Sequence, residues 1–372
     1  MRMRAAVLRR AGLARPYAQS RPLCIEEVEL PAPGAGEVLV QIKAASLCHS
    51  DLSVVNGDRV WPLPIVPGHE AAGVVAVVGA GVTELTPGDH VALIFLSQCG
   101  VCARCREGKP FLCERGTQAN REGRLITGGP HLRLGGELLH HHMGLAAFAE
   151  YALVAARSLV KIPRELPFVE ASLFGCAVMC GAGTALNSAG IRPGDSVAVV
   201  GLGGVGLSVV MGAVVAGATR IFAIDAGDDK FTLASELGAT DCLEAADAVA
   251  RLRQMLPGGV DHAIECTGTV DGFSAALEAT RRGGTTSSTS LPHAGESFSF
   301  PLARLVAEAR TLRGSYIGSC VPGRDIPAYA ELFRQGRLPV DKLVTQRIAL
   351  DDINAAFDAL ADARVVRQVI CF

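Results

Sequence analysis

The chain has 372 residues, long enough for two domains that each bury a core. It is 49% hydrophobic, and 35 basic against 37 acidic side chains leave a formal charge of -2. That balance excludes the basic field that nucleic-acid binding needs. The longest apolar run, Val197–Ala218, is broken too often by glycine to read as a membrane span.

Met1–Gln19 carries five arginines and no acid, a bias shared with transit peptides, but no apolar core segment or small-residue cleavage site follows. Arg4–Leu8 reads instead as a first strand, closed by the turn Arg9-Arg10-Ala11-Gly12, and a cytoplasmic location is expected. Short β-branched runs come next, at Glu37–Lys43, Gly73–Val78, Asp89–Phe95 and Tyr151–Ala155. Pro-Gly and Gly-Asp turns punctuate them, which predicts an antiparallel, loop-rich β domain. From about Val178 the texture changes. Strands are expected at Ser196–Gly201, Arg220–Asp225, Val260–Cys266, Gly284–Thr289 and Thr311–Ile317. Helices are expected at Gly204–Ala216, Asp228–Leu237 and Val270–Arg281, and such alternation predicts an α/β fold with a parallel, doubly wound sheet. After Gly318 come helices near Ile326–Gln335 and Asp351–Ala361 and a last strand, Arg367–Phe372, expected to rejoin the first domain. The domains are therefore 1–178 with 320–372, and 179–319.

Two groups of residues carry chemistry. Four of the twelve cysteines, Cys99, Cys102, Cys105 and Cys113, lie on one short loop. This spacing wraps a chain around one tetrahedral ion, and four thiolates close a structural Zn²⁺ site. An iron–sulfur cluster is the competing reading, although Glu114-Arg115 follows the loop where that motif commonly has proline. The second group is a turn, Gly201-Leu202-Gly203-Gly204-Val205-Gly206, set between the apolar run Val197–Val200 and a helical stretch. It is the dinucleotide fingerprint in its proper context: glycines let a pyrophosphate approach the free amides of a helix N-terminus. A second strand ends nineteen residues after Gly206 at Asp225. A carboxylate there accepts the ribose 2′-hydroxyl and repels a 2′-phosphate, which favours NAD over NADP.

Cys48, His69 and Cys176 are dispersed, and Cys180 stands close enough to replace Cys176 on spacing alone. The string Gly68-His69-Glu70-Ala71-Ala72-Gly73, however, resembles the zinc signature of the medium-chain alcohol dehydrogenases. Cys48-His49-Ser50-Asp51, the four-cysteine loop, Gly175-Cys176 and Gly201–Gly206 resemble further motifs of that family in the same order, across nearly the whole chain.

The resemblance implies a GroES-like β catalytic domain beside a Rossmann domain, two Zn²⁺ per chain, and NAD-linked oxidation of a primary or secondary alcohol. It assigns Cys48, His69 and Cys176 to a catalytic zinc with one open position. Ser50 then takes the alcohol proton, Asp51 orients His69, and Glu70 sits behind the metal. The same Ser50 and Asp51 also read as a pair capping a helix after Cys48. His49, Lys230 and Arg367 fall at cofactor contacts, and Phe95, His142, Met143, Leu291 and Tyr316 at pocket positions, with Trp61 more loosely aligned.

The chain departs from the family at Ser53, where many members carry the histidine that ends the proton relay. His140-His141-His142 is not expected to hold one ion, since successive side chains point apart. The loop Asp58-Arg59-Val60-Trp61 holds one acid where glutathione-dependent formaldehyde dehydrogenases typically carry a pair, which makes that activity the second choice. A nicotinoprotein with permanently bound NAD and a non-catalytic redox sensor are the remaining alternatives. The long stretch Cys113–Phe148 resembles the loop of dimeric members, and a homodimer acting on a small molecule, away from nucleic acid and membranes, is expected.

Overall fold

A computed structural model describes all 372 residues. Its strands, in chain order, are β1 (Arg2–Leu8), β2 (Leu23–Glu29), β3 (Glu37–Ser46), β4 (Ile65–Val66), β5 (Glu70–Val78), β6 (His90–Ile94), β7 (Leu132–Leu134), β8 (Glu137–His141), β9 (Tyr151–Ala155) and β10 (Leu159–Lys161). They continue with β11 (Ser196–Val200), β12 (Arg220–Asp225), β13 (Asp241–Glu244), β14 (Val260–Glu265), β15 (Thr280–Ser288), β16 (Thr311–Gly314), β17 (Val344–Ile348) and β18 (Arg367–Cys371). The chain divides into two compact units. One comprises Met1–Cys176, Val321–Glu331 and Val344–Phe372, and the other Ala177–Cys320 with Leu332–Leu343.

In the first unit, β1, β2, β7, β8 and β4 close a small barrel, and β10-β6-β5-β3-β18-β17 form a sheet on which β9 also pairs with β3. Alternate residues Met3, Ala5 and Val7 of β1 point inward with Val28, Leu39, Leu139 and Leu153, as the two-residue period of a strand requires. Most pairings are antiparallel, as the short turn-punctuated strands predict. Two are not: β4 runs parallel to β8, and β17 parallel to β18. The second exception has a local cause, because the helix Ile353–Ala361 between the two strands supplies the long crossover that parallel pairing needs.

The second unit is one parallel sheet in the order β13-β12-β11-β14-β15-β16. Every residue of Val197–Val200 is buried, which is why this strand reads as an unbroken apolar run. Phe222, Ile224, Ala263 and Leu252 pack with Ala198 and Val200 on one face. The expected helix Gly204–Ala216 and strand Arg220–Asp225 occur at those bounds. Thr280 and Arg281, expected to end a helix, instead begin β15: Thr280 pairs with Val260, and the helix stops at Ala279. No helix is long and apolar enough to cross a membrane.

Cys113–Phe148 is an ordered piece rather than an open excursion. It holds the helix Glu114–Arg121 and the β7–β8 hairpin, turned by Gly135-Gly136 with both φ angles positive. Buried Glu37 ties the stretch to β3, accepting from Thr127 Oγ1 at 2.8 Å and lying 3.0 Å from His131 Nε2.

Candidate metal centre and nucleotide turn

The first unit gathers Cys48, His69, Glu70 and Cys176 so that one ligand atom from each lies within 4.8 Å of the others. Short-range geometry explains how. Cys48 caps the helix His49–Val55, and Asp51 in its first turn reaches back so that Oδ2 accepts the Cys48 N–H at 3.2 Å. Asp51 Oδ1 meanwhile accepts Gly68 N–H at 3.2 Å and His69 Nδ1–H at 2.9 Å. Asp51 thus both caps its helix and fixes the His69 ring, so the two readings of the residue coexist. Gly68 permits the approach: its φ is +97°, and a Cβ there would lie 2.5 Å from Phe148 N.

All four residues are buried, and His69 Nε2 has no hydrogen-bond partner. An unpartnered buried nitrogen is costly, and two thiols beside it form a donor set suited to Zn²⁺. The Cys48 thiol is held well below its ordinary range, first by Cys176, against the opposing effect of burial, with Arg367 adding to the fall. Arg367 is buried in the same place. Its Nη1 donates to Leu47 O at 2.9 Å and lies 3.3 Å from Glu70 Oε1. Burial opposes its charge, but Glu70 and then Cys48 and Cys176 outweigh that and raise its pKa.

Around His69 stands an aromatic group. The Phe95 ring meets it edge-on at 5.4 Å and the His142 ring at 5.6 Å, and half-buried Trp61 packs edge-on against His142 at 4.8 Å. Sequence reasoning had no signal for the tie between His142 and Asp51: His142 Nδ1 lies 3.1 Å from Asp51 Oδ1. The three consecutive histidines do point apart. His140 packs over Gly123, His141 faces His131, and His142 faces Asp51. Met143 is half-buried in a left-handed conformation. Ser50 lies half-buried in the first helical turn, and its carbonyl accepts Ser53 Oγ–H at 2.7 Å. His49 is exposed.

The four thiols of Cys99, Cys102, Cys105 and Cys113 also lie within 4.8 Å of one another. Backbone N–H groups point at them: Cys99 N and Gly116 N toward Cys113 Sγ at 3.2 and 3.4 Å, and Cys102 N toward Cys99 Sγ at 3.3 Å. Such donors favour thiolates. Burial pushes Cys99 up, but the Val101 and Cys102 amides outweigh it and bring the thiol to about 6. Burial pushes Cys105 up to about 12, with the neighbouring Cys102 and Cys113 thiols adding to the rise against the Gly100 amide. None of the twelve cysteines is bridged.

In the second unit, Gly201 has φ +96°, and a Cβ on Gly206 would lie 1.8 Å from Gly201 O, so the turn closes directly onto its helix. A Cβ on Gly203 would meet nothing within 4 Å, and no side chain caps the helix it begins. An open approach to free helix amides suits a phosphate. Asp225 Oδ2 accepts Leu202 N–H at 3.1 Å and Lys230 Nζ–H at 3.3 Å. Leu291 and Tyr316 are exposed on this unit, at 58% and 39%.

Two family descriptions match the chain: the alcohol dehydrogenase GroES-like domain over residues 34–164, and the zinc-binding dehydrogenase over 204–335. The protein is a zinc-dependent dehydrogenase. It is 39% identical to the S-(hydroxymethyl)glutathione dehydrogenase of Escherichia coli O157:H7 over 367 residues, 97% of this chain and 99% of that one. A zinc-binding alcohol dehydrogenase domain protein of Burkholderia ambifaria has the same fold at a TM-score of 0.94 and 37% identity, covering 100% and 99% of the two chains. The benzyl alcohol dehydrogenase of Acinetobacter calcoaceticus follows at 0.93 and 31%, with the same coverage. The chain belongs to the zinc-containing medium-chain alcohol dehydrogenase family.

Proposed function

We propose that the protein reversibly oxidises a primary or secondary alcohol of mainly apolar or aromatic character to its aldehyde or ketone, with NAD as hydride acceptor. The observation that carries this reading is the buried, unpartnered His69 Nε2 beside two thiols and an aromatic wall. Cys48, His69 and Cys176 hold the catalytic metal, and Cys99, Cys102, Cys105 and Cys113 the structural one. Bound Zn²⁺ supplies the Lewis acidity that lowers the pKa of the alcohol, and bound NAD⁺ supplies the acceptor for its hydride. Asp51 keeps the His69 ring in place. The Ser50 hydroxyl receives the substrate proton, which passes to solvent as the C–H hydride leaves. Glu70, paired with Arg367, sits behind the metal.

The pyrophosphate is held by Gly201–Gly206, including Leu202 and Val205. Asp225 and Lys230 take the adenosine ribose. Phe95, His142 and Met143 line the substrate site in the first unit, and the two units act as catalytic and nucleotide domains. The exposed edge strand β16 and its exposed neighbours Leu302 and Val306 support a homodimer paired through the second unit. The unbridged cysteines and thiol clusters support work in a reducing cytoplasm.

A second reading, oxidation of S-(hydroxymethyl)glutathione, is favoured by the 39% identity to enzymes of that name. A panel of both substrate types, followed as NADH formation, separates the two. Benzyl alcohol turned over with S-(hydroxymethyl)glutathione inert supports the first reading; the reverse result refutes it in favour of the second.

A further inference from the structure

His142 is not needed to complete either thiol cluster, yet it is one of the most enclosed polar residues in the chain. Asp51, His69 and His142 are each 0% exposed. Their meeting follows from the barrel. Strand β4 runs parallel to β8 with Val66 opposite His141, so the chain leaving β4 delivers His69 where the chain leaving β8 delivers His142. Two positive-φ residues, Met143 and Gly144, then turn the backbone, and the amides of Leu145 and Ala146 bond to His142 O at 3.0 and 3.3 Å.

Asp51 Oδ1 consequently faces three N–H groups. Gly68 N and His69 Nδ1 approach in good hydrogen-bond geometry at 3.2 and 2.9 Å. His142 Nδ1 arrives at 3.1 Å on a skewed line that leaves it without a proper hydrogen bond. A carboxylate oxygen has about two lone-pair sites, so the third group is surplus. Beside the Asp51 carboxylate a proton belongs on His142 Nδ1, because a lone pair there would face negative charge.

The consequence concerns His69. An outer carboxylate makes a metal-binding imidazole a better donor by drawing on its far N–H. Each further N–H aimed at the same oxygen takes part of that charge and weakens the pull. We propose that His142 is a positioning residue that tempers the hold of Asp51 on His69, and so lowers the affinity of the Cys48–His69–Cys176 cluster for its metal. The effect would keep the bound cation poorer in electrons and thus a stronger Lewis acid. This inference rests on the metal assignment proposed above.

The test uses holoprotein as purified, with zinc counted by elemental analysis during equilibrium competition with a chelator such as EDTA. The four-cysteine zinc serves as the reference. His142→Phe keeps an aromatic ring between Trp61 and His69 and deletes the N–H. His142→Asn keeps an amide N–H near the Nδ1 position and deletes the ring. The expected result is that the Phe variant binds its second zinc about tenfold more tightly than the parent, the low end of measured outer-shell effects. The Asn variant should stay close to the parent. Structural damage would loosen the metal instead, so the sign separates the two. Unchanged or weaker binding in a natively folded Phe variant, or equal shifts in both variants, overturns the inference. A parent protein holding one zinc per chain removes the metal assignment itself, and the inference with it.

Discussion

Asp51 shows how much one side chain can carry at the residue scale. Its two oxygens accept from Cys48, Gly68 and His69, so capping a helix and orienting a metal-ready imidazole are one arrangement. The thiols divide into two kinds of dependence. Cys176→Ser should abolish turnover while the fold survives, because the cluster it leaves is built on elements that pair elsewhere. Cys105→Ser should instead lower the unfolding temperature, since the loop Cys99–Cys113 has little apolar core and is organised around its thiols. Elemental analysis should return two zinc ions per parent chain and one in each variant; two zincs retained in either variant would refute the assignment for that thiol. Asp225→Gly should raise the ratio of NADP to NAD efficiency by about tenfold, roughly the weight of one hydrogen bond to a charged group. Steady-state kinetics with both cofactors measures it, and an unchanged ratio would place the choice elsewhere.

Among the elements, the approach from β4 to β5 is tightly constrained. Gly68 sits between them with φ +97° and its neighbour Phe148 N in the place a Cβ would take. Gly68→Ala should therefore cost about 2 kcal/mol or more, through the left-handed backbone and the clash together. Urea denaturation measures this, and a loss below about 0.5 kcal/mol, the range of ordinary surface changes, would mean that the turn can relax. The β7–β8 hairpin is the other informative element. Its Gly135-Gly136 turn and its pairing partners both come from the structure, because β8 joins a two-residue strand too short to show any alternation.

For the whole molecule, the assembly prediction rests on β16, the last strand of the parallel sheet, with all four residues exposed. An open edge of this kind is normally covered, and a second copy across a two-fold axis covers it symmetrically. Light scattering during size exclusion should give a mass near two chains. A mass near four would contradict the dimer, and a mass near one the edge pairing itself.

What the residues alone determined was whatever depends on local spacing. The parallel sheet was legible because β11 is buried on both faces and alternates with helices of regular period. The four-thiol loop was legible because its ligands lie within fifteen residues, and the nucleotide turn because glycine is the residue such a bend demands. Grouping Cys48, His69 and Cys176 already required the likeness to a known family, since 107 residues separate the last two. Tertiary structure alone decided the rest: the closing of the barrel, the start of β15 at Thr280, the ion pair between Glu70 and Arg367, and the meeting of His142 with Asp51. Each depends on strand register between distant segments, and register is an energy of the packed whole that no short stretch of sequence encodes.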